Sequence, residues 1–207
     1  MKGRYMLGRN VKGRYMRESH TGKDLALLTL RLITGGLLAG HGAQKLFGWF
    51  GGHGLRGTAN WLEPLGLRPS RLWALAAGLG EFGGGVLTAL GLFHPLGPIT
   101  MLAPMSVAVG KVHWGKPIWV TQGGAELPVT NIAIATALAL VGPGRLSLDR
   151  AFRIRVPWAV VAVTAGAVAA GVAVSLTRRP APAPAVQEEA HEALEGGEEA
   201  PAPKAAA

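Results

Sequence analysis

Six side chains that can carry charge or exchange protons lie within, or close to the ends of, long apolar stretches of this sequence. They are two histidines, two lysines and two glutamates: His41, Lys45, Glu81, Lys111, His113 and Glu126. Such groups are costly in apolar surroundings unless they face a cavity or a partner. Histidine and lysine can donate hydrogen bonds to a ligand oxygen, and a glutamate can pass protons. The set predicts a polar pocket that binds a small molecule.

Glu81 is the deepest member, because it lies near the middle of an apolar segment. A carboxylate at that depth must be paired, protonated or solvated by buried water. Depth along the helices, counted at about 1.5 Å per residue, makes Arg31 and His41 its candidate partners. Two interpretations stay open. One is a structural Arg31–Glu81 ion pair that fixes helix register, and the other is a protonatable functional site.

Three of the other candidates have an ordinary structural alternative. Lys45 could extend its charged end to the membrane interface. His41 could be a packed, hydrogen-bonded core residue, and Glu126 could stabilise the start of the helix that Pro128 opens. Haem ligation by His41 and His113 is a weaker alternative, and no metal site is expected.

Five apolar segments must position these side chains. A helix needs roughly 20 apolar residues to cross a hydrocarbon core of about 30 Å. The segments are residues 25–47, 72–93, 96–112, 128–141 and 156–176. With 49% hydrophobic residues and a mean hydropathy of +0.27, the chain does not have the composition of a soluble globular domain. We expect an all-α integral membrane protein in contact with the lipid bilayer.

The first segment places its polar residues on one helical stripe, which contains Arg31, His41 and Lys45. This stripe should face other helices or a water-filled cavity. Gly36 and Gly40 are spaced as a pair of small residues that permits close helix packing.

The net charge of +9 is concentrated in two clusters. One precedes the first segment (Lys2, Arg4, Arg9, Lys12, Arg14, Arg17 and Lys23), and one lies between the fourth and fifth (Arg145, Arg150, Arg153 and Arg155). If the helices alternate in direction, the positive-inside rule places the N-terminus in the cytoplasm and the pocket near the outer face. We expect no nucleic-acid partner.

The chain has no cysteine, which excludes disulfides, thiolate nucleophiles, cysteine-ligated zinc and iron–sulfur ligation. Any redox chemistry would need a bound cofactor or a partner subunit.

Both ends of the chain differ in composition from the middle. Residues 1–23 contain KGRYM twice and are predicted to be a basic cytoplasmic arm, either solvated or held by anionic lipids. Residues 177–207 are rich in Pro, Ala and Glu and are predicted to be disordered.

Three runs arrive in an order that resembles the DoxX family of bacterial membrane proteins: GHGAQKLFGWFGGHGLRGTANWLEPLGL, GLGEFGGGVLTALGLFHPLG and GAELPVTNIAIATALALVGPGRLSLDR. The resemblance covers about residues 25–150. It implies a four-helix transmembrane bundle, residues 24–150, in the bacterial inner membrane. The chain departs from the pattern by one additional C-terminal transmembrane helix, residues 156–176, which is expected to dock against the bundle or a partner helix.

The resemblance also marks motif positions, which fall on Gln44, Lys45, Gly48, Glu81, Gly84, Glu126, Gly142, Gly144, Ser147 and Asp149. Gln44 thereby joins the ligand-binding candidates. Some relatives are described as subunits of quinol oxidase or thiosulfate:quinone oxidoreductase systems, and others as membrane partners of redox-defence proteins.

Three functions remain open at this point. The first is a redox-associated accessory subunit whose pocket binds a quinone or a similar small molecule; if the chain is enzymatic, it is a subunit of a quinone-linked oxidoreductase. The second is a non-enzymatic scaffold that recruits soluble partners to the membrane. The third is a small-solute transporter that uses Glu81, disfavoured because the sequence has no obvious internal repeat.

Overall fold

A computed structural model describes residues 5–180 of the chain, with residues 5–20 described by their backbone alone. Within this range the regular structure is entirely helical. The helices are α1 (Tyr5–Phe47), α2 (Gly54–Leu62), α3 (Ser70–Leu90), α4 (Leu96–Val107), α5 (Glu126–Val141), α6 (Leu148–Phe152) and α7 (Trp158–Thr177). A π turn, Ala108–Val112, continues α4, and single 3-10 turns span Trp49–Gly51 and Val120–Gln122.

Three helices are long and apolar enough to cross a membrane by length and composition. They are the Thr21–Phe47 part of α1, α3 and α7. Two shorter apolar helices, Leu96–Val112 and Glu126–Val141, accompany them. All five apolar segments of the sequence therefore form helices. Of the predicted arm, residues 5–23 form the start of α1. Residues 1–4 and 181–207, which include most of the predicted disordered tail, lie outside the described residues.

Helices α1 and α3 pack antiparallel with their backbones close together. A methyl group on Gly35 would lie 2.6 Å from the carbonyl oxygen of Gly85, and one on Gly42 would lie 2.6 Å from the Cα atom of Phe82. Only glycine allows this approach. Seven residues are about two helical turns, so Gly35 and Gly42 lie on the same face of α1.

The prediction that Gly36 and Gly40 provide the close packing was wrong. A methyl group on either would meet no atom within 4 Å. Glycines do bring α1 close to α3, but they are Gly35 and Gly42, which lie on a neighbouring face of the helix. Successive helical residues point about 100° apart, so a shift of one residue selects a different face.

Helix α4 is central, since it packs against α3, α5 and α7. A buried cluster of Leu38, Met101, Met105 and Ala135 joins α1, α4 and α5. Within α4, Pro104 cannot donate a backbone hydrogen bond, and the π turn follows a few residues later.

The helix ends gather in two groups. At one end Asp24 accepts a hydrogen bond from the backbone of Arg145 at 2.8 Å, and Asp149 accepts from the backbone of Phe93. At the other end Lys111, which follows α4, donates to the carbonyl oxygen of Arg178, which follows α7. These contacts require α1, α3, α4, α5 and α7 to alternate in direction.

Candidate functional site

A cavity of about 540 Å³ lies between α3 and α7, with α4 as its floor and α2 across one end. Its wall is almost entirely apolar. The main contributors are Trp61, Leu62 and Leu65 from α2 and the loop after it; Trp73, Ala76, Leu79, Gly83 and Leu87 from α3; Ala103, Pro104 and Val107 from α4; and Ala167, Val168, Gly171 and Val172 from α7.

Lys45 and Glu81 are the charged residues of this wall, and they form an ion pair. The Glu81 side chain is 3% exposed and the Lys45 side chain 29%. Lys45 lies in the last turn of α1, where the partial negative charge of the helix end also favours a cation. The cavity therefore places one ion pair, with a buried carboxylate and a partly exposed ammonium group, beside a large apolar volume.

Arg31 is not the partner of Glu81. The antiparallel register brings Arg31 to Gly91, at the far end of α3, whereas it brings Lys45 to Glu81. Fourteen residues separate Arg31 from Lys45, which corresponds to about 21 Å of helix. Arg31 instead donates to the carbonyl oxygen of Leu146, and it is 2% exposed. Among the described residues its Nε and Nη1 atoms have no hydrogen-bond partner.

His41 lies outside the cavity. Its side chain is exposed rather than packed in the core, and its Nδ1 atom lies 3.1 Å from Oε1 of Gln44. The Gln44 amide in turn donates to the carbonyl oxygen of Phe50 at 3.3 Å. His41 directly precedes Gly42, which faces α3, so its side chain points about 100° away from that contact. His41 and Gln44 therefore stabilise the turn after α1, and neither lies in the cavity wall with Glu81.

The remaining candidates hydrogen-bond to backbone groups of the loops and helix ends at the same end of the molecule. His113 Nδ1 lies 2.7 Å from the carbonyl oxygen of Gly123, and Glu126 Oε2 accepts from the backbone N–H of Val120 at 2.9 Å. Lys111 donates to Arg178, as described above. None of the three lines the cavity. Each holds the loop between α4 and α5 or the end of α7.

The structure gives no support to haem ligation by two histidines. His41 and His113 each have a hydrogen-bonding partner close by in the chain, and neither lines the cavity. Within residues 21–180 there is also no group of three or more His, Cys, Asp or Glu side chains arranged to hold a metal ion.

Sequence reasoning missed the contribution of α7 to the cavity. Thr164, Ala167, Val168, Gly171 and Val172 all line it. They follow the spacing of one helical face, which is the signal that could have found them. Because nearly every residue of α7 is small and apolar, that face does not stand out from the others in the sequence.

A second polar cluster lies at the opposite end of α3. Asp149 accepts hydrogen bonds from the backbone N–H groups of Phe93 and His94, at 2.8 and 2.7 Å. Burial lowers the pKa of His94 and the nearby charge of Arg31 lowers it further, against the opposing effects of a backbone carbonyl and Asp149. Ser147 caps α6 by accepting from the backbone of Arg150 at 3.3 Å. Within the GPGRLSLD run, Ser147 and Asp149 thus have structural roles, because their hydrogen bonds stabilise the loops at this end of the molecule.

Residues 26–114 match the DoxX family model. This part of the chain is a DoxX domain. It contains Lys45 and Glu81, and together with the three long apolar helices it indicates a multi-pass membrane protein. The matched residues end before α5, so α7, one wall of the cavity, lies outside the DoxX domain.

No curated protein and no solved structure matches this chain.

Proposed function

We propose that this DoxX protein is a redox-associated accessory subunit of the bacterial inner membrane, which binds a quinone or a similar amphipathic molecule in the cavity between α3 and α7. The observation that carries the proposal is the placing of the Lys45–Glu81 pair in the wall of an otherwise apolar cavity. A ligand with an apolar body and a few polar atoms matches that distribution of surface.

The size and chemistry of the cavity fit a quinone. Its volume of about 540 Å³ falls in the usual range for small-molecule sites. The alanine, valine and leucine side chains suit a ring and the start of an isoprenoid tail, and Trp61 and Trp73 offer aromatic faces. Lys45 is the donor suited to a quinone carbonyl oxygen.

A quinone supplies reversible two-electron, two-proton chemistry when bound. Because the chain has no cysteine, the electrons would come from a redox partner, either another subunit or a soluble protein. The part of this chain is to bind and orient. Lys45 Nζ holds the carbonyl oxygen, the Glu81 carboxylate accepts or returns a proton, and the apolar wall excludes water.

The proposed arrangement in the membrane is four DoxX-like helices, α1, α3, α4 and α5, with α7 as an added fifth. The alternating directions of these helices and the basic residues around α6 support a cytoplasmic N-terminus. The shorter helices would cross with local thinning of the bilayer. The ion pair would then lie nearer the outer than the inner surface.

The test uses two glycines of α7. A methyl group on Gly171, which lines the cavity, would meet no atom within 4 Å, and the same holds for Gly166, which does not line it. The Gly171→Leu side chain should enter the cavity and weaken binding by roughly tenfold or more. Gly166→Leu adds the same side chain to the same helix and should bind like the natural chain.

Binding is measured on protein purified in mild detergent. Quinone that copurifies is extracted and quantified by absorbance, and a short-tailed quinone is titrated while tryptophan fluorescence is followed. Protein that carries no quinone and binds none when it is added would refute the proposal, as would a Gly171→Leu variant that binds normally. A Glu81→Gln variant that loses stability but keeps its affinity would make the ion pair structural. A result that refutes quinone binding would favour the alternative function, a non-enzymatic scaffold that recruits soluble partners to the membrane.

A further inference from the structure

An open surface cleft, of about 410 Å³, lies between the polar face of α2 and the start of α3. It shares no residue with the wall of the larger cavity. Its lining, which we call the arginine cleft, consists of Arg56, Ala59, Asn60, Glu63, Arg68, Pro69, Ser70 and Arg71. Three cationic side chains therefore converge on one concave surface that the proposed function does not use.

The charges of the arginine cleft are not balanced by its own residues. Glu63 is its one carboxylate, and it pairs with Arg68 at 3.4 Å. Within residues 21–180, neither Arg56 nor Arg71 takes part in an ion pair. Two guanidinium groups without a carboxylate partner in one lining repel each other, and an anion bound between them would offset that repulsion.

The backbone adds to this preference for an anion. Ser70 and Arg71 are the first two residues of α3, a helix of 21 residues whose preceding residue, Pro69, provides no side-chain cap. The N–H group of Leu72, the next residue, donates to the carbonyl oxygen of Pro69 at 3.1 Å. The N–H groups of Ser70 and Arg71 have no partner within the helix and carry partial positive charge. They lie in the same lining as the arginines.

The residues around the arginine cleft are of the kinds found at the level of lipid headgroups. Helix α2 is amphipathic, with Thr58, Ala59 and Leu62 buried. Trp61, 53% exposed, and Leu72, 61% exposed, lie next to the cleft residues in the chain. Exposed tryptophan and leucine beside arginine are typical of the boundary between hydrocarbon and headgroups.

We propose that the arginine cleft binds a phosphate group at the membrane surface, either that of a phospholipid headgroup or free phosphate. Guanidinium groups recognise phosphate through paired N–H donors, so Arg56 and Arg71 would each hold phosphate oxygens. The Ser70 hydroxyl and the backbone N–H groups of Ser70 and Arg71 would complete the site.

The test compares two probes on the full chain in detergent by native mass spectrometry: a short-chain phosphatidylglycerol and inorganic phosphate. The variant carries Arg56→Gln and Arg71→Gln together, and the control is Arg155→Gln, an exposed arginine near the opposite end of α3. Loss of two charged donors should weaken binding by roughly tenfold or more, while the control should bind normally.

The two probes distinguish the source of the phosphate. Lipid binding that depends on Arg56 and Arg71 supports a headgroup site, and phosphate binding with that dependence and no lipid binding supports a site for free phosphate. If the double variant does not fold, the same titration on the natural chain at about 0.05 M and about 0.5 M salt replaces it, because a charged site must weaken steeply over that range. Binding of both probes that is insensitive to the variant, or to salt, would overturn the proposal.

Discussion

At the scale of single residues, the environment of each charged group of α1 depends on which residue of α3 lies opposite it. Arg31, His41 and Lys45 share one stripe in the sequence, yet they have different environments. Arg31 is buried beside Gly91, His41 is exposed, and Lys45 pairs with Glu81. An ion pair with one buried and one partly exposed member responds unequally to the loss of either partner.

This asymmetry predicts that Lys45→Met is more destabilising than Glu81→Gln. The first leaves a carboxylate that is 3% exposed without its cation, which should cost about 1.5–3 kcal/mol. The second leaves a lysine that is already 29% exposed and can turn toward water. Thermal melting of both variants in the same detergent measures the difference.

The double variant Lys45→Met with Glu81→Gln is the internal control for that comparison. It removes both charges, so it should recover part of the stability lost in Lys45→Met. Equal melting temperatures for the two single variants would contradict the assignment of Glu81 as the buried member of the pair.

At the scale of elements, the contact between α1 and α3 depends on glycines that bring two backbones together, while other glycines of α1 face open space. Gly35 and Gly42 belong to the first kind and Gly36 to the second. Because all three lie in the same helix, the intrinsic effect of replacing glycine by alanine can be separated from the effect on packing.

We therefore predict opposite effects for two identical substitutions. Gly42→Ala places a methyl group against the backbone of Phe82 and should destabilise the protein by about 1–3 kcal/mol. Gly36→Ala meets no atom within 4 Å and should stabilise it by about 0.5–1 kcal/mol, since glycine is a poor helix former. Melting temperatures in detergent provide the measurement. A stabilising Gly42→Ala would mean that α1 and α3 do not approach closely at this level.

At the scale of the whole molecule, the alternation of five helices separates two loops that are close in sequence. The loop that contains Thr121 lies between α4 and α5, and Ala151 lies in α6, between α5 and α7. If α5 crosses the membrane, these residues are on opposite sides of it. In the proposed orientation, the basic residues around α6 would place Ala151 in the cytoplasm by the positive-inside rule.

A labelling experiment can test this arrangement, because the natural chain has no cysteine. Both positions are exposed, so Thr121→Cys and Ala151→Cys can be introduced singly without disturbing the core. In intact cells a membrane-impermeant maleimide should label Thr121→Cys and leave Ala151→Cys unlabelled until the cells are lysed. Labelling of both before lysis would exclude a membrane-spanning α5, and the reverse pattern would invert the proposed orientation.

Much of the secondary structure was predictable from the sequence. The apolar segments predicted the helices because their length and composition are local properties, and the DoxX resemblance is confirmed for residues 26–114. Glu81 was recognised as exceptional because a carboxylate in an apolar segment is conspicuous without any structure. Its association with Lys45 was not predictable, since the register of α1 against α3 is set by Gly35, Gly42 and Gly85, whose backbone contacts leave only a weak pattern in the sequence.

The sequence alone thus determined that this is a helical membrane protein with a DoxX-like segment and with charged groups in apolar segments, because hydropathy and motifs act over neighbouring residues. Only the tertiary structure decided which of those groups meet. It paired Lys45 with Glu81, left His41 and His113 in local contacts, and supplied α7 as a cavity wall. These outcomes depend on contacts between residues far apart in the chain, where a displacement of one residue along a helix turns a side chain by about 100°.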